Sequence, residues 1–238
     1  MSDTIQLENI LFLDIETVPQ YPDHAAVPEK IQKLWEKKAE RLKPAGSPET
    51  TAETLYPRAS IYAEFGKIVC ISVGTVKNQK IYIKSFASDD EHALLTDFAA
   101  MLEKSFNGKE HFLCAHNGKE FDFPYICRRM LIQGIRLPAI LDIAGKKPWE
   151  VMHHDTMEFW KFGDYKNYTS LELLAAVFDI PTPKDDIDGS EVYKVYWHDQ
   201  DLPRIVTYCQ KDVVTIIQLF RRYRGLPLLP EEQVLIVG

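Results

Sequence analysis

A short apolar segment that ends in two acidic residues constrains this chain more than any other feature. The segment reads LFLDIETVP, and its apolar start is typical of a buried strand. Asp14 and Glu16 point to the same side of this strand, because strand side chains alternate with a period of two. Two carboxylates beside an apolar core repel each other and lose hydration. The sequence therefore predicts that a bound cation, or an arginine or lysine, compensates the pair.

Strand-like and helix-like segments follow this strand in an order that predicts a fold class. A polar stretch at about 19–60 has helical spacing and alternating charge, which predicts a helical insertion. Residues 66–87 predict two strands with a turn near Lys77–Asn78, and an amphipathic helix follows them. A buried strand and a helix are expected around Gly118, and a further strand near 151–155. The last third is helical, with a long helix from about Asp201 to Arg222.

This order of elements predicts a single α/β domain with a mixed central sheet flanked by helices. We expect the domain to span residues 1–225 and a C-terminal tail to span 226–238. The apolar tail, LPLLPEEQVLIVG, is expected to form a strand on its own domain or to dock a replication or repair protein.

Two more acidic positions stand out against this layout. Asp122 opens the predicted helix after CAHNGKEF, just beyond a buried strand. In YCQKD, Tyr208 and Asp212 are four residues apart on the long helix and therefore lie on one face of it. Active sites of open α/β folds collect where strands end and helices begin. Four carboxylates that meet there would form an oxygen-rich pocket suited to Mg²⁺ or Mn²⁺.

Three segments, DIET, HNGKEFDFPY and YCQKD, resemble in this order the three motifs of the DEDD exonucleases. Tyr208 is similar to the tyrosine that defines the DEDDy branch, which includes the proofreading domains of DNA polymerases. The chain is similar to stand-alone proteins related to the family-B polymerase exonuclease domain, from about Ile10 to Arg222. The resemblance implies an RNase H-like (DnaQ-like) fold and 3′–5′ exonuclease activity on single-stranded DNA or RNA, with a role in DNA repair or replication.

The resemblance also implies roles for the motif residues. The family uses two divalent metal ions, Mg²⁺ or Mn²⁺, about 3.5–4 Å apart. Asp14 would bridge both ions, Glu16 and Asp212 would hold the ion that carries the nucleophilic water, and Asp122 would help to hold the other. Tyr208 would orient the attacking water. On this interpretation, cations between the carboxylates compensate the pair in DIET.

Residues beside the motifs are weaker candidates for contact with the 3′ end of a single strand: Thr17, Asn117, Phe121 and Lys184. A phenylalanine here, Phe121 or Phe123, could stack on a base, but a core position is an equal alternative. Lys184 could contact a phosphate or lie in a solvated loop. Two basic clusters could steer the nucleic-acid backbone or form solvated helix faces: Arg128 and Arg129, and Arg221, Arg222 and Arg224.

Composition limits the classes of function. A net charge of −7 argues against a protein that coats DNA independently of sequence. It is compatible with two alternatives to a polymer exonuclease, namely a hydrolase of short oligonucleotides and a catalytically silent nucleic-acid-binding module of the same fold. The chain starts without a secretory signal and has no membrane-spanning run, so we expect a cytoplasmic protein without a membrane partner.

The cysteines and a histidine pair are also informative. Cys70, Cys114, Cys127 and Cys209 lack paired zinc spacing, which indicates reduced core thiols. The run His153-His154-Asp155 superficially suggests a zinc site. We interpret it as a strand end, because no further ligands have suitable spacing.

Overall fold

A computed structural model describes residues 6–44, 49–164, 166, 168–182 and 187–237. Within these ranges one six-stranded sheet has the order β5-β4-β1-β2-β3-β6. Its strands are β1 (Ile10–Pro19), β2 (Gly66–Lys77), β3 (Lys80–Ala87), β4 (Phe112–Ala115), β5 (His154–Asp155) and β6 (Val234–Ile236). The pairs β1–β2 and β2–β3 are antiparallel, and β1–β4, β4–β5 and β3–β6 are parallel. The prediction of a mixed sheet is confirmed.

Helices flank this sheet. They are α1 (Glu29–Leu42), α2 (Ala52–Leu55), α3 (Glu91–Ser105), α4 (Asp122–Ile132), α5 (Thr156–Lys161), α6 (Leu171–Val177), α7 (Val192–Lys194) and α8 (Leu202–Tyr223). Short 3₁₀ segments lie at Leu7–Asn9, His24–Ala26, Tyr56–Ile61, Ala139–Leu141, Pro148–Glu150 and Glu231–Gln233, and a π-helical turn spans Val195–Asp199. The predicted helices of the insertion, of the segment after Gly118 and of the last third are all present.

Alternation along β1 divides the core into two layers. Leu11, Leu13 and Ile15 pack in a cluster with residues of α3 and α4. Ile10 and Phe12 point to the opposite face, where they pack in a cluster with residues of α8. Because side chains alternate with a period of two, Asp14 and Glu16 continue this second row. The acidic pair therefore lies on the face of the sheet that α8 covers.

The insertion has a small apolar cluster of its own. Trp35 of α1 is fully buried, and its ring lies edge-on to Tyr56 with ring centroids 5.7 Å apart. The indole N–H donates to the carbonyl of Ala52 at 2.8 Å. These contacts fix the two helices of the insertion to each other, because a buried indole needs both apolar neighbours and an acceptor.

Two details of the sheet differ from the sequence prediction. The turn between β2 and β3 consists of Asn78 and Gln79, one residue later than predicted, and both have positive φ (51° and 58°). This left-handed pair matches the twist of a two-residue hairpin. The strand expected at 151–155 contains only His154 and Asp155. Of the two alternatives for the tail, a strand on its own domain is present as β6.

Two arginines of the predicted basic clusters are buried. The side chain of Arg129 is 1% exposed and forms an ion pair with Glu91, with Nε donating to Oε1 at 2.8 Å. Arg221 is also buried and donates from Nε to the carbonyl of Pro227 at 3.0 Å. Both alternatives for these two residues, a backbone-steering role and a solvated helix face, were therefore wrong, because their guanidinium groups are buried and hydrogen-bonded inside the fold. Arg128 and Arg222 are exposed.

Within the described ranges, no helix combines the length and apolar character needed to cross a membrane.

Candidate active site

The first pair of carboxylates is placed by β1. Asp14 and Glu16 lie opposite Ser72 and Cys70 of β2, and the register shifts immediately after Glu16. Such a bulge re-aims the side chains beside it and is common next to active sites. Glu16 is only 6% exposed. The strand therefore carries both acidic side chains into the interface with α8.

Helix α8 supplies the residues of YCQKD. Asp201 caps the helix and accepts a hydrogen bond from the backbone N–H of Arg204 at 3.2 Å. Tyr208 packs against the cluster that contains Cys70 and Cys209. The Sγ of Cys209 lies 3.4 Å from the backbone carbonyl oxygen of Asp14. This contact fixes the middle of α8 against the acidic end of β1.

Helix α4 supplies the fourth carboxylate. Asp122 is the first residue of this helix, and its side chain is 3% exposed. Its Oδ1 is buried and has no hydrogen-bond partner among the described residues. A buried carboxylate oxygen without a donor loses its hydration and gains nothing in return, which is costly unless a cation or a proton compensates it.

Neighbouring carboxylates contribute to the raised pKa values of Asp14, Glu16 and Asp122. Burial, followed by the charges of Asp122 and Asp212, raises the pKa of Asp14 well above its ordinary value. Burial, followed by the charges of Asp14 and Asp212, raises the pKa of Glu16 in the same way. Burial raises the pKa of Asp122 to about 8, although its own backbone and that of Ile15 offset part of the rise. Like charges raise each other's pKa only over short distances, so the three motifs converge.

These residues fit divalent cations by the chemistry of their donors. Carboxylate oxygens are the ligands that Mg²⁺ and Mn²⁺ prefer. Burial first, and neighbouring carboxylates after it, raise the pKa values of Asp14 and Asp122, and a bound cation would offset both effects. Ligand atoms of Asp14, Glu16 and Cys209 all lie within 4.8 Å of one another, close enough to surround one ion.

Asp155 is a residue of this region that the sequence interpretation did not connect to the site. Its carboxylate accepts hydrogen bonds from the backbone N–H groups of Asn117 (2.9 Å) and Lys119 (3.0 Å) in the turn before α4. It also caps α5 by accepting from Met157 at 3.0 Å. Its charge contributes to the raised pKa of Asp122. Asp155 therefore holds the turn that delivers Asp122.

The structure distinguishes the weaker candidates. Asn117 has a φ of +64°, so it takes the left-handed position of the turn that was expected at Gly118. Thr17 is half-buried just after the bulge, and Phe121 is half-buried with its ring 5.3 Å from that of Tyr125. Phe123 is fully buried, so the core alternative is correct for this residue. Lys184 lies outside the described residues.

Two further predictions concern thiols and histidines. Cys70, Cys114 and Cys209 are buried, Cys127 is half-buried, and all four are free, as expected. The sequence interpretation placed Cys209 in the core, and nothing in its spacing indicates that it touches Asp14. His153 accepts a hydrogen bond from the backbone N–H of Leu113 at Nδ1 and donates from Nε2 to the carbonyl of Ile140, so it has the structural role that was expected.

Comparison with known proteins agrees with this arrangement. Residues 60–227 match a family described as a predicted 3′–5′ exonuclease related to the exonuclease domain of PolB. This chain belongs to that family. The matched residues include Asp122, Tyr208 and Asp212 and begin after Asp14 and Glu16, which the sheet brings to the same site. No curated protein matches the sequence significantly.

A solved structure supports the fold. The chain is similar to the family B DNA polymerase from the hyperthermophilic archaeon Pyrobaculum calidifontis, with a TM-score of 0.51 and 16% identity. The match covers 90% of this chain and 24% of the polymerase chain, so this chain spans about a quarter of that protein's length. The predictions of an RNase H-like fold and of a relationship to the PolB exonuclease domain are confirmed.

Proposed function

We propose that this protein is a metal-dependent 3′–5′ exonuclease that hydrolyses phosphodiester bonds from the 3′ end of single-stranded DNA or RNA. Residues 1–225 would act as one exonuclease domain, with a role in DNA repair or replication. The observation that supports the proposal is the close approach of Asp14 and Glu16 on β1, whose pKa values the charges of Asp122 on α4 and Asp212 on α8 raise. Membership of a family of predicted 3′–5′ exonucleases supports the direction of cleavage.

Asp14, Glu16, Asp122 and Asp212 would hold two divalent cations, Mg²⁺ or Mn²⁺. When bound, these ions would neutralise charge on the phosphate and activate the attacking water. The chain itself supplies a fixed frame for them. Cys209 fixes α8 to the backbone of Asp14, and Asp155 fixes the turn before Asp122. Because the carboxylates are held by a strand and two helices, little reorganisation is needed when the charge develops.

Tyr208 would orient the attacking water through its hydroxyl. It lies one helical turn before Asp212 on α8, and its ring packs against the cluster around Cys70. A ring fixed in this way restricts where the hydroxyl can point, which favours a positioning role. Thr17, Asn117 and Phe121 are proposed to contact the terminal nucleotide, because they lie next to the carboxylates along the chain.

A second candidate is a hydrolase of short oligonucleotides. Burial of Arg129 and Arg221 removes two charges from the surface of a protein whose net charge is already −7. Long strands are held largely through backbone phosphates and basic side chains. Weak retention of long strands would therefore favour short substrates.

The test uses a 5′-labelled single-stranded DNA, a matching RNA and a dinucleotide, each incubated with Mg²⁺ or Mn²⁺. We expect a ladder that shortens from the 3′ end and disappears with EDTA, in Asp14→Ala and in Asp212→Ala. Asp97→Ala changes an exposed carboxylate on α3 and should leave the ladder intact. Cleavage of the dinucleotide alone would establish the second candidate. Intact substrates throughout, with wild-type protein and either metal, would refute both.

A further inference from the structure

A cavity of about 320 Å³ lies beside the end of β1, outside the group of acidic residues. Three segments form its walls: the end of β1 with the 3₁₀ turn that follows, the helical insertion, and the segment that leads to α8. The lining includes Pro19, His24, Glu53, Tyr56, Tyr193 and His198. A cavity of this size accommodates a small ligand such as one nucleoside, and a longer polymer does not fit inside it.

His24 brings an unsatisfied hydrogen-bonding atom to this cavity. The residue is 6% exposed, and its Nε2 has no hydrogen-bond partner in the described part of the chain. The imidazole lies at the cavity wall, because the side chains next to it, Glu53 and Tyr56, line the cavity as well. Oε1 of Glu53 is 3.7 Å from Nδ1, so this carboxylate favours a proton on Nδ1 and leaves Nε2 as an acceptor. A ligand that donates an N–H group would satisfy Nε2.

The other walls of the cavity favour a flat and neutral ligand. Tyr56, Tyr193 and His198 contribute aromatic rings, and those of Tyr193 and His198 meet edge-on with centroids 6.1 Å apart. Among the described lining residues there are two acids, Asp23 and Glu53, and no lysine or arginine. This charge disfavours a phosphate group. A heteroaromatic base, which packs on aromatic rings and carries no charge, fits these walls.

A metal ion is another ligand that histidines and carboxylates suggest. One group of ligand atoms within the described ranges is close enough to share an ion, and it consists of Asp14, Glu16 and Cys209. The histidines and acids of the cavity do not belong to it. A base is therefore a better occupant than a cation.

The cavity is held against the strand that carries the acidic pair. Pro19 follows Glu16 by three residues, which corresponds to roughly 10 Å along a strand. The indole N–H of Trp197 donates to the carbonyl of Pro19 at 3.0 Å and fixes the π-helical turn to the end of β1. Such turns are frequent at functional sites. A strand whose 3′ end lies at the carboxylates therefore has a base within reach of the cavity.

We propose that this cavity binds one base of the nucleic-acid substrate, and that an exocyclic amine of the base donates to Nε2 of His24. Tyr56 and Tyr193 contact the ring of the base. Adenine and cytosine carry an amine donor where thymine carries a carbonyl acceptor, so the cavity distinguishes these bases. The place of the base in a strand, close to the 3′ end, rests on the proposed function, whereas the binding of a free nucleoside does not.

The experiment measures the binding of free nucleosides to the full-length protein in EDTA by saturation-transfer NMR. The probes are 2′-deoxyadenosine and purine 2′-deoxyriboside, which differ only in the exocyclic amine. We expect 2′-deoxyadenosine to bind about 3–10-fold more tightly, which is the effect of one hydrogen bond. In His24→Phe, which keeps a ring and loses the acceptor, the two nucleosides should bind equally.

Two further variants change the rings and leave His24 in place. Tyr193 is half-buried and His198 is exposed, so Tyr193→Leu and His198→Ala test the cavity even if His24→Phe does not fold. Each should weaken the binding of both nucleosides about 3–10-fold and keep the preference for 2′-deoxyadenosine. His92→Ala, at an exposed histidine of α3, is the matched control and should bind like wild type.

Three results would overturn the base site. They are equal binding of the two nucleosides to wild type, a preference that survives in His24→Phe, and unchanged binding in both Tyr193→Leu and His198→Ala. A Mg²⁺-dependent nuclease without a nucleoside preference would refute the base site alone. A preference that depends on His24, in a chain that cleaves nothing, would refute the exonuclease proposal alone.

The place of the base in the strand has a test of its own. A single dA is moved through the positions nearest the 3′ end of an oligo-dT strand, and the Kd of each strand is measured in EDTA. We expect one position to bind more tightly than oligo-dT in wild type and not in His24→Phe. The same Kd at every position would show that the cavity does not receive a base of the bound strand.

Discussion

The carboxylate of Asp155 accepts a hydrogen bond from the backbone N–H of Asn117 at 2.9 Å and so connects β5 to the turn before α4. This turn has a left-handed residue, Asn117, with a φ of +64°. An asparagine tolerates that conformation better than most residues, but the turn still needs external support. The position of Asp122 therefore depends on a residue more than thirty positions further along the chain.

Asp155→Ala should weaken cation binding although Asp155 is not a proposed cation ligand. Loss of the cap and of the bonds to the turn should lower the free energy of unfolding by about 1–3 kcal/mol. The affinity for Mn²⁺ should fall about 10–100-fold, as is typical when support around a metal ligand is lost. Denaturation and Mn²⁺ titration measure the two effects.

The matched control is Asp90→Ala, because Asp90 caps α3 by accepting from Ala93 at 3.1 Å and supports no site residue. It should lose stability but keep its affinity for Mn²⁺. An equal loss of Mn²⁺ affinity in both variants would show that Asp155 acts only through general stability.

The buried acid Asp122 should make the metal-free protein less stable as pH rises. Its pKa is raised from 3.8 to about 8, mainly by burial. Between these values the folded protein binds a proton that the unfolded chain has released, so stability falls as pH rises from about 4 to about 8. His153 and His154, whose pKa values are lowered to about 4, act in the opposite direction. A comparison of wild type with a variant that lacks the Asp122 carboxyl therefore isolates the contribution of Asp122 to the pH dependence of stability.

In EDTA at pH 8, we expect the free energy of unfolding of Asp122→Asn to exceed that of wild type by about 1–3 kcal/mol. At pH 5 the difference should be much smaller. Urea unfolding at both pH values measures the difference in the free energy of unfolding. Added Mn²⁺ should reverse the order at pH 8, because the variant lacks one of the four proposed ligands and binds Mn²⁺ more weakly. A variant less stable than wild type at pH 8 without metal would contradict the assignment of buried, uncompensated charge.

The ion pair between Glu91 and Arg129 should be essential for stability and irrelevant to nucleic-acid binding. Oε1 of Glu91 also accepts the backbone N–H of Ile68 at 2.8 Å. Removal of one partner leaves the other charge buried, so Arg129→Met should cost about 3–5 kcal/mol. Arg128→Ala, at the exposed neighbour, should change stability by about 0.5 kcal/mol or less. Similar losses in the two variants would show that the pair is not buried.

Tyr208→Phe should reduce turnover and leave metal affinity unchanged. Loss of one positioned hydroxyl is expected to lower kcat about 10²-fold or more. Tyr223→Phe removes a buried hydroxyl that has no hydrogen-bond partner in the described part of the chain, at the end of the same helix, and should leave kcat unchanged. Single-turnover rates measure both. Equal rates for wild type and Tyr208→Phe would remove the tyrosine from the mechanism.

Local patterns predicted much of the fold and of the candidate site, because the relevant signals are short in range. The alternation in LFLDIET places Asp14 and Glu16 on one face, and the four-residue spacing places Tyr208 and Asp212 on one face of α8. The start of α4 at Asp122 also follows from local propensity.

Contacts between distant segments could not be predicted from such local patterns. Arg129 was treated as a surface residue because its acceptor, Glu91, lies 38 positions away. Asp155 and Cys209 also act across the sheet, on residues of other elements. No periodicity in one segment carries information about which buried polar group of another segment it will meet.

The most direct test is Mn²⁺ binding to the full-length protein, measured by electron paramagnetic resonance of the free ion. We expect saturable binding of two ions per chain at neutral pH that Asp14→Asn and Asp212→Asn each weaken strongly and that Asp97→Asn leaves unchanged. Wild-type protein that binds no Mn²⁺, or loses no affinity in these variants, would show that the four carboxylates do not form one cation site.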